Sequence, residues 1–145
     1  MRTPRTEPDP KIGNRFTYSL LPHAGDWRLG DVAAEAHDLN LPLRAVQQPA
    51  NPMGSLPPSF SFVSCDAPNV VIETIKKSED DDAWIVRIYE NRQARGPVRL
   101  NFGRPVRRAV ECNLVEEGET PVDCAGHALT TAVTPFEIKT FKVWF

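Results

Sequence analysis

The segment PHAGDWR holds the densest group of side chains whose types and spacing could do chemistry: His23, Asp26, Trp27 and Arg28. A histidine three residues before an aspartate can serve as a general base whose ring the carboxylate orients. In the competing interpretation, Asp26 caps a helix and His23 hydrogen-bonds to the loop backbone. No nucleophile or second carboxylate accompanies the pair, so capping is favoured and we predict no catalytic residue. In a larger protein these side chains could line a shared interface or the rim of an active site.

An acidic run and a set of histidines are the candidates for a ligand site. The run Glu79–Asp82 lacks the alternating ligand positions and the turn-forming glycine of a calcium loop. It is therefore predicted to be a solvated hairpin tip. His23, His37 and His127 do not have the spacing of metal ligands. We expect no metal and no cofactor to be bound by this chain itself.

Aromatic residues in the second half of the chain offer a third kind of site. Trp84, Tyr89 and Trp144 could form a platform on which pyranose rings stack. At alternating strand positions, however, tryptophan packs into the core more often than it faces a ligand. The net charge of −2 argues against nucleic acid as a partner. No apolar run approaches the ~20 residues of a membrane span, so no membrane partner is expected.

The composition is typical of a soluble globular domain, with 145 residues, 41% of them hydrophobic and 25% charged. The 14 prolines favour short strands and loops over long helices. Cys65, Cys112 and Cys124 are odd in number and widely separated, which predicts three reduced thiols in a cytoplasmic protein. The alternative is a secreted domain with one disulfide and one free thiol.

The residues before position 59 are expected to form three parts. Residues 1–14 are predicted to be a flexible leader, residues 15–45 a strand plus a helix, and residues 46–58 a proline-rich connector. Alternation predicts the strand over Arg15–Leu21, and apolar positions three and four residues apart predict the helix over Asp26–Asn40. The apolar stripe of this helix is mostly alanine, so the helix needs a partner surface.

The residues from 59 to 145 consist of short alternating stretches separated by turn residues. Val70–Lys76 and Trp84–Tyr89 should form a hairpin around the acidic tip. The apolar residues of the last strand, Phe136–Phe145, change faces near Thr140, which indicates either a bulge or a strand covered on both faces. The predicted fold class is mainly β: an antiparallel β-sandwich preceded by a short strand–helix unit.

Several stretches together resemble the C-terminal region of the α-mannosidases of glycoside hydrolase family 38. They include FTYSLLPHAGDW, GSLPPSFSF, VVIETIKKSEDDDAWIVRIYEN with the following Arg95 and Gly96, and TPFEIKTFKVWF. The resemblance covers almost the whole chain and implies a parent protein several times longer. It also implies an N-terminal β/α barrel in that parent, with a zinc ion and the catalytic aspartate of a retaining mechanism. None of the family's zinc ligands, nor its nucleophile, has a matching position here.

The same resemblance implies a role for each part of the chain. Residues 15–45 would be the end of a preceding large β domain, and residues 59–145 a terminal sandwich that packs against the absent barrel. The expected partner is therefore the remainder of the parent enzyme, which would hydrolyse terminal α-mannosides. A stand-alone β-sandwich that binds carbohydrate or protein is the alternative, with mannose-containing glycans as candidate ligands.

Overall fold

The computed structural model describes residues 17–51 and 53–145. The predicted leader and the start of the predicted first strand lie outside the described residues. The chain divides into two units, Met1–Val46 and Gln47–Phe145. Within the described residues, no helix is long and apolar enough to cross a membrane.

The first unit contains one helix, α1, which spans Val32–Asn40 in the described part of the chain. The helix begins later than predicted, because Trp27–Asp31 form turns instead of a first helical turn. Asp31, immediately before the helix, has φ 55°, a left-handed conformation that does not continue an α-helix. No residue of α1 is buried.

The strand predicted over Arg15–Leu21 is not formed in its described part, Thr17–Leu21. Both sheets of the structure consist of strands that start at Val63 or later. Tyr18 and Leu20, whose alternation suggested the strand, are 79% and 87% exposed. The strand prediction is therefore wrong for these residues. Alternation of apolar and polar residues is not sufficient, because a strand also needs a neighbouring strand to hydrogen-bond with.

The second unit is an antiparallel β-sandwich, which confirms the predicted fold class. Its strands are β1 (Val63–Cys65), β2 (Val70–Lys77), β3 (Trp84–Glu90), β4 (Gly96–Phe102), β5 (Arg108–Cys112), β6 (Thr120–Pro121), β7 (Cys124–Ala125), β8 (Ala128–Val133) and β9 (Ile138–Trp144). One sheet has four strands in the order β1-β4-β8-β7, and the other has five in the order β2-β3-β9-β5-β6. The predicted hairpin is confirmed, with Lys77 opposite Trp84.

The apolar residues of the last strand switch faces near Thr140 because both faces of this strand are covered by other parts of the domain. β9 lies between β3 and β5 with an unbroken register on each side, so it has no bulge at Thr140. Phe141 and Val143 point to the inner face of the sandwich and are fully buried. Thr140 and Lys142 are buried on the outer face, at 1% and 6% exposure.

The core fills the space between the two sheets. Its fully buried side chains come from both sheets, and include Val86, Ile88, Leu100, Leu129 and Phe141. Aromatic rings extend the core, with ring centroids 4.9 Å apart for Phe62 and Trp84, 5.6 Å for Phe62 and Phe145, and 5.5 Å for Phe102 and Phe145. Tilted and edge-to-face ring pairs of this kind stabilise a core beyond the area they bury.

Candidate functional site

The four candidate side chains of PHAGDWR lie in one compact turn. The Oδ1 atom of Asp26 accepts hydrogen bonds from the backbone N–H groups of Arg28 at 3.0 Å and Leu29 at 3.1 Å. The guanidinium of Arg28 lies over the ring of Trp27 at 5.2 Å and 3.6 Å from Asp26 Oδ2. Asp26 thus caps a turn, although this turn precedes the helix instead of opening it.

The His23 ring packs into the same turn but hydrogen-bonds to the backbone, not to the carboxylate of Asp26. Its Nδ1 atom lies 2.9 Å from the backbone oxygen of Leu21, so Nδ1 carries a proton and donates it to that carbonyl. The ring also lies against Gly30, where an added Cβ would come within 2.2 Å of it. A general base oriented by Asp26 would need an Nδ1–H to Asp26 hydrogen bond, which this geometry does not provide. The arrangement therefore favours a structural turn.

Glu90 is a buried carboxylate that the sequence analysis did not single out. It is 1% exposed, and its two oxygens accept five hydrogen bonds. The donors are Asn69 Nδ2 and the backbone N–H groups of Arg92, Gln93, Ala94 and Phe136, at 2.8–3.1 Å. Burial by itself would raise the pKa of Glu90, but these hydrogen bonds lower it to about 2.

The environment of Glu90 assigns it a structural role. A carboxylate with this pKa is ionised at neutral pH, and its lone pairs already bind internal donors, so it is not available as an acid or base. It fixes Gln93 and Phe136, whose φ angles of 60° and 59° are left-handed. The alternation of Val86, Ile88 and Glu90 was the available signal, since it places the carboxylate on the buried face.

The acidic hairpin tip is only partly solvated. Glu79, Asp80 and Asp82 are exposed, but Asp81 lies 3.2 Å from the ammonium of the buried Lys142. A hydrogen bond from the backbone of Ala83 is the main cause that lowers the pKa of Asp81, and Lys142 adds to it. The tip predicted to be a solvated loop therefore also neutralises a buried cation on the outer face of the five-stranded sheet.

A second loop joins the hairpin tip on that outer face. Lys76 lies 2.7 Å from Glu79 and 2.8 Å from Glu116, which belongs to the loop between β5 and β6. These two carboxylates raise the pKa of Lys76 through hydrogen bonds to its ammonium. Glu79, Asp81, Asp82 and Glu116 are thus each paired with a lysine. In the described ranges, no three His, Cys, Asp or Glu side chains are placed to hold a metal ion.

The three aromatic residues do not form a common platform. Tyr89 shares the outer face with Trp144 but lies opposite Ile138, six residues from Trp144 along β9, or about 20 Å. Trp84 is half-buried on the inner face of the five-stranded sheet, where it packs against Phe62. Trp144 follows the inward-facing Val143 and so lies on the outer face, where the guanidinium of Arg108 covers its ring at 4.6 Å. Because the sheet separates the two indoles, one sugar cannot stack on both.

We predict that tryptophan fluorescence reports this difference in burial. Trp27 is 41% exposed, whereas Trp84 and Trp144 are half-buried. Changing Trp27→Phe should therefore shift the emission maximum to the blue and reduce acrylamide quenching, and mannose should leave the emission unchanged. Trp84→Phe serves as the control and should leave the remaining emission redder. Mannose-dependent emission would contradict the assignment and support a sugar platform.

An apolar groove of about 390 Å³ lies on the outer face of the five-stranded sheet. Its lining residues are Cys112, Asn113, Leu114, Val115, Ile138 and Thr140. Leu114, Val115 and Ile138 are each more than half exposed. Exposed aliphatic side chains that lie together mark association surfaces in folded proteins.

Comparison with known proteins identifies the class of domain. The family model for the glycosyl hydrolases family 38 C-terminal beta sandwich domain matches residues 69–141, from before β2 into β9. The chain is 30% identical to Alpha-mannosidase G of Dictyostelium discoideum over 149 aligned residues. It is 31% identical to Alpha-mannosidase 2C1 of Homo sapiens over 134 residues, and 30% identical to Alpha-mannosidase 2C1 of Mus musculus over 132.

The alignments cover most of this chain but only a small part of each relative. The alignments include 98%, 86% and 87% of this chain, but only 14%, 12% and 12% of the respective relatives. The chain thus corresponds to a small part of each α-mannosidase. It belongs to glycoside hydrolase family 38 as a C-terminal β-sandwich domain, as the sequence resemblance predicted.

Proposed function

We propose that this chain serves an α-mannosidase-like enzyme as a non-catalytic domain that packs against the catalytic part of the same protein. The observation that carries this proposal is the alignment of 98% of the chain with 14% of Alpha-mannosidase G. The parent enzyme would hydrolyse terminal α-mannosides. The carboxylate of Glu90 and the paired carboxylates Glu79, Asp81 and Asp82 of the acidic tip are engaged in internal contacts, which fits a structural role.

In this proposal, zinc would be bound by the catalytic part of the parent enzyme and not by this chain. The family resemblance implies a zinc ion in the catalytic barrel. The described residues of this chain do not fit such an ion, because they bring no set of three potential ligands together. The free Cys65 and Cys112 are half-buried, and burial is the main cause that raises the pKa of each thiol, which disfavours thiolate ligands. Any zinc chemistry would therefore lie in the remainder of the parent enzyme.

Sequencing the DNA upstream of the Met1 codon tests the proposal directly. An in-frame coding region for a zinc-binding barrel is expected. The parent polypeptide should then hydrolyse an aryl α-mannoside, and the 145-residue chain alone should not. A stop codon immediately upstream, or hydrolysis by the chain alone, would overturn the proposal.

The cytoplasm is the compartment that fits the cysteines best. Cys65, Cys112 and Cys124 are all free thiols, as expected where glutathione keeps cysteines reduced. We therefore propose that the parent enzyme is cytoplasmic. Fluorescence microscopy of the tagged parent tests this, and a secretory location would contradict it.

The turn of His23, Asp26, Trp27 and Arg28 remains a proposed part of a shared interface or active-site rim. Its exposed Trp27 and the neighbouring Leu29, which is 81% exposed, support this placement because both expose apolar area. The alternative of an independent glycan-binding module has less support, because Trp84 and Trp144 lie on opposite faces of a sheet. Glycan binding by the chain stays a prediction.

We predict that the amides of the first unit are the least protected from hydrogen exchange in the isolated chain. The helix α1 has no buried residue, whereas β2 and β3 contribute to the core. Amides of Val32–Asn40 should therefore exchange with deuterium at least about 100-fold faster than those of Val70–Glu90. The measurement is hydrogen exchange with mass spectrometry on the 145-residue chain. Comparable protection in both segments would contradict the idea that the first unit depends on the parent.

A further inference from the structure

The apolar groove on the outer face of the five-stranded sheet is bordered by three aliphatic side chains. Leu114, Val115 and Ile138 are 57%, 71% and 54% exposed. Cys112 and Thr140, from adjacent strands, also line the groove. The aliphatic side chains are therefore presented by a rigid sheet and a loop tied to it, which is how docking surfaces hold their anchors in place.

Arg87 supplies a charge at the edge of this groove. Its Nε donates to Thr140 Oγ1 at 3.1 Å, and its Nη2 donates to the backbone oxygen of Leu114 at 3.0 Å. Both acceptors are neutral, and no ion pair among the described residues includes Arg87. A half-buried guanidinium with spare N–H donors is well suited to a carboxylate from outside, because a charge-assisted pair would compensate its charge.

The four-stranded sheet has no comparable surface in the described part of the chain. None of its strands carries a large exposed aliphatic or aromatic side chain. Its outer face presents polar residues such as Ser64, Arg99 and Thr130. Of the two sheets, only the five-stranded one combines, among its described residues, an aliphatic groove with an uncompensated charge on its outer face.

We infer that this groove, together with Arg87, docks the domain onto the remainder of the parent polypeptide, and this inference rests on the proposed function. The docking segment presents an aliphatic side chain next to a carboxylate. The relatives extend far beyond the 12–14% that this chain covers, so a large covalently linked partner exists in proteins of this kind. A second copy fits less well, because a two-fold contact through the groove would bring the two Arg87 guanidinium groups close together.

Hydroxyl-radical footprinting compares the isolated chain with the intact parent polypeptide. Oxidation of the peptide that contains Leu114 and Val115, and of the one that contains Ile138, should fall at least about fivefold in the parent, because an interface core excludes water. The peptide that contains Thr130 should change little. Sedimentation of the isolated chain shows whether it forms a dimer.

Matched charge variants in the parent test the chemistry of the contact. Arg87→Glu should restore oxidation of the groove peptides, whereas Arg99→Glu, on the polar sheet, should not. Ile138→Asp is the second variant, because Ile138 is more than half exposed and its replacement should leave the domain folded by circular dichroism. Loss of protection in Arg87→Glu and Ile138→Asp, but not in Arg99→Glu, is the expected result.

The other outcomes overturn the inference, and they separate it from the proposed function. Protection of the Thr130 peptide with an unchanged groove would mean that the domain docks through its other face, and the proposed function would stand. Protection of neither face would overturn both. A dimer of the isolated chain with its groove already protected would assign the surface to a second copy. If Arg87→Glu and Arg99→Glu changed the oxidation of the groove peptides equally, Arg87 would have no specific part in the contact.

Discussion

Phe141→Ala should destabilise the second unit by about 3 to 5 kcal/mol, which is a large part of the stability of a domain of this size. Phe141 is 0% exposed on β9, the central strand of the five-stranded sheet, and is the largest fully buried side chain of the described chain. It lies opposite Val86 and packs in the core that both sheets share. Alanine would leave a cavity between the sheets, because paired strands cannot collapse to fill it.

Urea unfolding followed by circular dichroism measures this loss. Phe136→Ala is the matched control, since Phe136 is 57% exposed and its replacement should cost less than about 1 kcal/mol. Phe141→Leu keeps more of the volume and should fall between the two. Similar losses for Phe141→Ala and Phe136→Ala would show that the core is not organised around β9.

Glu90→Gln should cost about 3 kcal/mol at neutral pH, because an amide replaces a charged acceptor with one acceptor and one donor. The new NH₂ group would face backbone N–H groups that now donate to the carboxylate, such as those of Arg92, Gln93 and Phe136. At least one buried donor would lose its acceptor. Urea unfolding at pH 7 measures the effect, and the exposed Glu117→Gln serves as the control.

The same carboxylate predicts how stability depends on pH. The pKa of Glu90 is about 2 in the folded chain, below its ordinary value of 4.5, so the unfolded chain binds the proton more tightly. The stabilisation from Glu90 is therefore complete above about pH 4.5 and is lost as the pH falls towards 2. The difference in unfolding free energy between wild type and Glu90→Gln should shrink over that range. A difference that stays constant from pH 7 to pH 2.5 would contradict the role of the charge.

The β-sandwich could be predicted because several of its strands, β4 most clearly, alternate between apolar and polar residues. Val98, Leu100 and Phe102 on β4 all point inward and are buried, while Arg99 between them is exposed. Such a pattern needs only that one face of a strand is covered. The hairpin of β2 and β3 followed from the acidic turn between two alternating segments.

The N-terminal prediction was less accurate because its signals were local. Tyr18 and Leu20 alternate, but no described strand pairs with them. The helix α1 begins only at Val32, since Asp31 adopts a left-handed conformation that the apolar spacing could not reveal. Asp26 was predicted to cap the helix, but its carboxylate caps the turn that precedes the helix.

The sequence by itself determined the β-rich class, the hairpin and the family, because alternation and long matching segments are properties of neighbouring residues. Only the tertiary structure decided that β9 is covered on both faces, that Glu90 accepts five hydrogen bonds, and that Arg87 borders an apolar groove. Each of these features depends on contacts between residues far apart in the chain, such as those of Glu90 with Asn69 and Phe136. These long-range contacts arise when the two sheets and the connecting loops pack together, so a local pattern can place Glu90 on the buried face but cannot show its distant partners.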